Sequence, residues 1–263
     1  MTKDAICSEI QQFVSGYQNR QVTQTRWQTP LVGFASAADP LFHEFKRVVA
    51  PSHFLPRDLL SDAETVIAFF LPFKNSVVTS NIKGRLASPE WAKAYVETNA
   101  LLQNLGQHLG EFIEQPGQAV YVPPPTHNFD PKILLSNWSH RHIAFAAGLG
   151  RFGLNNMLIT EKGCCGRIGS LITSLALEPD SRTEREACLF KYNGSCKQCV
   201  RRCTNNALLT TEFHRHKCYD LLLENEEKYK SLGTADVCGK CLVAIPCASR
   251  DPVTEMIKSS RIA

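Results

Sequence analysis

Apolar residues recur along the chain at two spacings, and the changes between them mark out elements. Ile6, Ile10, Phe13, Val14 and Tyr17 stand three or four apart, a helical stripe over residues 4–19. Leu31 to Phe34 reads as a short strand. Asp39-Pro40 puts an N-cap residue before a proline at the first helical position and opens a helix toward Val49. Thr65 to Phe73 is a continuous apolar run between an acidic stretch and a proline, which suits a fully buried strand. Ser88-Pro89-Glu90 repeats the capping pattern and opens a long helix to about Ile113, with Leu101, Leu105, Leu109 and Phe112 inward. Ala119 to Val122 is a strand stopped by Pro123-Pro124-Pro125. Ser136 or Ser139 caps a helix through Ala147 that Gly148 ends. Met157–Thr160 and Ile168–Leu177 are predicted to pair as strands across a turn at Gly163–Gly166. After Pro179 the segments become short, polar and punctuated by cysteine, which puts a domain boundary near residue 180. Strands and helices mix without strict alternation, so the predicted class is α+β.

Composition sharpens this picture without changing it. Hydrophobic residues make up 43% and charged residues 21% of the 263, enough apolar material for a core. No apolar run reaches the length of a membrane span; the longest, around Val66 to Phe73, is broken by Pro72 and ends before Lys74. The N-terminus turns polar and acidic within nine residues, unlike a secretory signal, and a cytoplasmic protein is expected.

The cysteines carry the chemistry. Of 11, Cys7 stands alone and the rest fall between Cys164 and Cys247. An odd, clustered set in a reducing compartment points to metal rather than to disulfides. Eight form an ordered series: Cys188, Cys196, Cys199, Cys203, Cys218, Cys238, Cys241 and Cys247. Cys196-x2-Cys199 aims two thiolates at one point, and Cys203, after the x3 gap, can serve a neighbouring cluster as in two-cluster ferredoxins. That crossover assigns Cys188, Cys196, Cys199 and Cys247 to one [4Fe–4S] cluster, and Cys203, Cys218, Cys238 and Cys241 to another. Two C-x2-C pairs also fit zinc, with eight thiolates for two ions. Cys164-Cys165 read as turn residues.

Charge follows the same division. Residues 181–263 hold 14 Lys+Arg against 10 Asp+Glu, which accounts for the whole net +4. Such an excess suits either a nucleic-acid patch or the negative charge of two clusters. Interleaving with cysteines rather than aromatics favours the second.

Gly148-Leu149-Gly150-Arg151-Phe152-Gly153 matches the dinucleotide-binding letters G-x-G-x-x-G. That site needs a strand before, a helix after and an acid about twenty residues on. Here a helix precedes, a strand follows, and no acid lies at that distance. A glycine-rich turn leaving a helix, or close backbone approach to a large flat cofactor, remains.

The stretch Ser139–Thr160, with Arg141, Ala147-Gly148-Leu149-Gly150, Asn155-Asn156 and an aliphatic strand, resembles the epoxyqueuosine reductase family. Gly166-Arg167-Ile168-Gly169-Ser170 and the cysteine tail follow at the spacing of that family, over about residues 60–250. The resemblance implies a cobalamin-dependent reductase related to reductive dehalogenases. Residues 1–180 would form a corrinoid-binding catalytic domain, and residues 181–263 a ferredoxin-like domain with two [4Fe–4S] clusters. The corrinoid would be base-off, and no D-x-H-x-x-G ligand motif occurs here. Arg141, Gly148, Gly150, Gly153, Asn155, Asn156, Gly169 and Ser170 would hold it. Departures are local. The first cluster cysteine of the family falls on Asn193, so Cys188 would substitute, and Thr204 replaces a usual proline. The acid that donates a proton aligns near Leu134, which cannot do so and argues against turnover of epoxyqueuosine in tRNA.

A reductive step needs a proton source as well as electrons, and His140, His142 and Tyr95 are the candidates. An external electron donor and a small-molecule or modified-nucleoside substrate complete this reading; no membrane is involved. The alternative is a cobalamin-free iron–sulfur electron carrier or redox-responsive protein whose N-terminal domain binds a partner. A large apolar pocket beside Gly148–Gly153 favours the enzyme, and a filled one favours the carrier.

Overall fold

The computed structural model describes residues 1–20, 23–114 and 117–260. The N-terminal stripe forms α1 (Lys3–Arg20), followed by β1 (Leu31–Ser36), α2 (Leu41–Val48), the short α3 (Pro56–Leu59) and β2 (Thr65–Pro72). Next come α4 (Asn75–Ser80), α5 (Pro89–Ile113) and β3 (Val120–Tyr121). Helix α5 begins where its cap predicts, with the Ser88 side chain accepting from Trp91 N at 3.1 Å. A small hairpin, β4 (Phe129–Asp130) and β5 (Leu135–Ser136), leads into α6 (His140–Ala146). Then follow β6 (Arg151–Phe152), β7 (Leu158–Ile159) and β8 (Gly166–Thr173).

The main sheet is antiparallel in the order β1-β2-β8-β3. All eight residues of β2 are buried, as the unbroken apolar run requires. One prediction fails here. Residues 157–160 do not pair with 168–177: β7 pairs with β6, and β8 crosses to β2 and β3. The Gly153–Met157 turn closes β6 on β7 locally, with Gly153 N donating to Met157 O.

Apolar side chains on the two faces of the sheet feed two cores. Phe34, Ile67, Phe69 and Leu71 join α1 and α5, while Ala35, Val66, Ala68 and Ile172 join α2, α6 and Trp138. The tail contributes α7 (Leu189–Asn193), α8 (Gln198–Arg202), α9 (Arg215–Lys228), two 3-10 turns (Lys230–Leu232, Lys240–Leu242) and α10 (Pro252–Ser260). Ala187, Leu208, Ala235, Leu242, Val243 and Ile245 of this tail share the first core with α1 and α5. The composition break near residue 180 is thus crossed by continuous packing. Among the described residues no helix is long and apolar enough to cross a membrane.

Candidate functional site

The tail folds its cysteines into two neighbourhoods. Cys188 caps α7, which Gly194 ends in the left-handed conformation, and Cys199 and Cys203 lie on and after α8. Cys188, Cys196, Cys199 and Cys247 line one cavity, together with Asn155 and Ile245. Cys203, Cys218 on α9, Cys238 and Cys241 form the second set: Cys238 and Cys203 act on Cys218, and Cys238, Cys218 and Cys203 act on Cys241. All are free thiols. Burial, then the neighbouring Cys247, Cys188 and Cys196, pushes Cys199 up to about 12. Burial, then Cys238 and Cys203, does the same for Cys218. Such thiols stay protonated unless a cation displaces the proton, as metal ligation does. Among the described residues no three ligating side chains converge tightly enough to hold one ion. Four thiols around a space suit a cluster of several irons better than a single zinc.

Cys164 and Cys165 are more than turn residues. Both are buried, and their backbone N–H groups donate to Cys247 O and Ala248 O. Asn155 Nδ2 donates to the Cys164 sulfur at 3.8 Å, and the Cys165 thiol donates to Leu242 O at 3.2 Å.

Near the second set lies a polar group drawn from both halves of the chain. Tyr95 on α5 donates to Asp236 Oδ1 at 2.7 Å, and His127 Nε2 meets Asp236 Oδ2 at 3.2 Å. The Arg167 guanidinium lies 4.2 Å over the Tyr95 ring, with its buried Nε unpartnered. Burial raises the Tyr95 pKa above the ordinary phenol value. Arg141 is exposed and donates to Asn156 O at 2.6 Å; Cys218, Arg215 and Arg167 all act on it.

The two histidines serve structure. His140 Nε2 donates to Pro124 O at 2.9 Å, while Nδ1 accepts from Ser170 Oγ at 2.9 Å. Ser170 Oγ in turn accepts from Trp138 Nε1 at 3.0 Å. Burial lowers His140 to about 4. His142 sits between Phe45 and Phe152, and burial followed by Arg141 lowers it to about 3. Neither ring holds a proton to give near neutrality, which corrects their predicted role as acids.

The predicted corrinoid residues are spread over different places: Gly148 and Gly150 line one cavity, and Asn155 lines the one that holds Cys188, Cys196, Cys199 and Cys247. A Cβ at Gly150 would stand 2.2 Å from Ile159 O, and at Gly148, where φ is +76°, 2.8 Å from Ser181 O. Gly153 is closed by Asn155 Oδ1 and Gly169 by the Phe69 ring. Asn155 is buried and Asn156 exposed, and Ser170 is taken up by Trp138 and His140. In the direction a Cβ would take, each of these glycines meets the protein's own atoms. A cavity of about 530 Å³ does lie beside Gly148–Arg151, but Arg151, Glu161, Arg185, Asp251, Glu255 and Lys258 line it. These charged groups share its wall with Leu31, Val32, Leu149 and Ile159, where the corrinoid reading called for an apolar pocket. These residues do not fit a corrin at that place.

Sequence reasoning missed Asp236 and Lys240. Asp236 lies two residues before Cys238 and carries no motif of its own. Lys240 stands inside Cys238-x2-Cys241, where a charged residue of a buried turn is the available signal.

No family model matches the chain. A curated epoxyqueuosine reductase from Listeria monocytogenes serovar 1/2a is 33% identical over 112 residues, covering 40% of this chain and 28% of that protein. The match thus spans little more than a quarter of that relative's length. A solved epoxyqueuosine reductase with an epoxyqueuosine-modified tRNA stem loop superposes with a TM-score of 0.53 at 18% identity. It covers 92% of this chain and 66% of that one. A catabolic reductive dehalogenase gives a TM-score of 0.56 at 14% identity, over 88% of this chain and 31% of its own. The chain is similar to epoxyqueuosine reductases in sequence, and it has the α+β fold that they share with reductive dehalogenases.

Proposed function

We propose that this protein is an iron–sulfur oxidoreductase of the epoxyqueuosine reductase type, its eight tail thiols holding two [4Fe–4S] clusters. One observation carries the reading: two groups of four free thiols, folded from distant parts of the tail. Loaded clusters supply electrons one at a time. The first group would receive them from an external donor and the second would pass them on.

The proton side of the reaction falls to Tyr95, Asp236 and His127. Asp236 accepts the Tyr95 hydroxyl through one oxygen and faces the His127 ring with the other, while His127 is exposed. A proton entering the exposed His127 ring at Nδ1 would let Nε2 give its own to the Asp236 carboxylate, which would return one to the Tyr95 oxygen as the phenol gives up its proton. Leu134, at the position of the family's acid, sits at the end of the β4–β5 turn and takes no part.

The substrate class supported by the likeness is a modified nucleoside, free or within tRNA. Arg215 and Arg167 both act on Arg141, and none of the three has a carboxylate partner among the described residues. They supply the cations that a phosphate or an electron-rich base needs.

Purification without oxygen, with iron, sulfide, zinc and cobalt measured per chain, tests the reading. About eight irons are expected. A chain loaded with zinc alone overturns it.

A further inference from the structure

The 3-10 turn between Cys238 and Cys241 carries a lysine that faces inward. Lys240 is only 1% exposed, and its ammonium donates to Asn81 O at 2.9 Å and Lys83 O at 2.7 Å. An ammonium has three donors, so one is left over. No carboxylate stands within ion-pair distance of it among the described residues. Burying a cation without an anion is expensive. Cys238, two residues away, is the group that acts on it with opposite sign once its thiol ionises, against Arg202 and Lys228.

Charge around the two thiol groups is unequal. Lys240 and Arg85 act on Cys238, and Arg141 acts on Cys218. The Ala207 and Leu208 amides donate to Cys203 Sγ at 3.3 and 3.4 Å. At the first group the charges acting on Cys199 are the other three thiols, and Asp251 acts on Cys247.

We infer that Lys240 is the buried counter-charge of the second metal centre and holds it at a higher reduction potential than the first. The inference rests on the cluster reading given above. A cluster held by four thiolates carries about −2 and gains one more negative charge on reduction. A fixed positive charge beside it favours the reduced form, and the effect is strong where water is excluded. Donors aimed at cluster sulfur act in the same direction. The second centre therefore fills first, and an electron arriving at the first centre moves toward Tyr95 and Asp236. Lys240 is a positioning residue, acting through the cluster.

The test is a redox titration of the full chain, purified without oxygen and followed by electron paramagnetic resonance, with K240M and K240R alongside. Two signals of unequal midpoint are expected for the unaltered protein. K240M should lower the higher one at least tenfold in its reduction equilibrium, 59 mV for one electron, and leave the lower one in place. K240R, which keeps the charge, should stay near the unaltered value. Loss of only half the iron from folded K240M would also support the role. If K240M does not fold, K240Q, which keeps donors without charge, is read in the same way. Unchanged midpoints with all iron bound overturn the inference, as does an equal shift of both signals. An unaltered chain without iron overturns the cluster reading instead.

Discussion

Tyr95 and Asp236, 141 positions apart, meet in a 2.7 Å hydrogen bond that ties α5 to the turn just before Cys238. Both are buried, so the bond replaces water for two groups at once. Replacing Tyr95 with Phe removes the donor and leaves the Asp236 carboxylate to His127 alone. The expected cost is about 1–3 kcal/mol of stability, read as a lowered unfolding midpoint of the iron-loaded chain. Iron content should not change. A midpoint equal to that of the unaltered protein would show that the bond is not made in solution.

Single cysteine changes separate the two thiol groups. Cys199→Ser should remove about half of the iron and Cys218→Ser the other half, because each contributes to a different set. Their double variant should bind almost none. If Cys199→Ser empties both centres while the fold survives in circular dichroism, the division into two sets is wrong.

The helices with their own boundary signals are legible in the sequence. Ser88-Pro89 fixes the start of α5, and the β2 run is buried along its whole length, as its composition demands. Pairing is not legible in the same way. Strands β6 and β7 are two residues long, and only the local closure of Gly153 on Met157 decides that they pair with each other. A run such as 168–177 looks alike whether its neighbour is the preceding strand or one a hundred residues earlier. The polar site is harder still. Asp236 and His127 come from loops without periodicity, and their meeting depends on how the tail packs against α5. The glycine motif misled for a physical reason: close backbone approach is real at Gly150, but its partner is Ile159.

The histidines of α6 set a pH dependence with a definite sign. His140 at about 4 and His142 at about 3 both lie below the ordinary 6.5. Below pH 6.5 the unfolded chain protonates them while the folded chain does not, so stability is full above that pH and falls as the pH drops toward 4. Two such groups give a slope of about 2.7 kcal/mol per pH unit near pH 5. Urea unfolding between pH 5 and 7 reads the slope, and His142→Gln should remove about half of it. Coincident profiles for the two proteins would mean that the ring is protonated in the folded state.

Gly150 provides the sharpest test of what the glycine-rich turn is for. It lies just ahead of β6 and opposite β7, where Ile159 O occupies the place of a side chain at 2.2 Å. A Cβ there must push two backbones apart, and neither is the free end of a flexible side chain. Overpacking of this kind costs about 1–3 kcal/mol. Gly150→Ala should therefore destabilise the chain with no corrinoid present, and added cobalamin should restore nothing. Were the glycine there to receive a flat macrocycle, the substitution would leave the unliganded protein stable and affect only binding. Thermal unfolding of both proteins, with and without cobalamin, decides between the two, and a loss of stability in the cobalamin-free pair is the expected outcome.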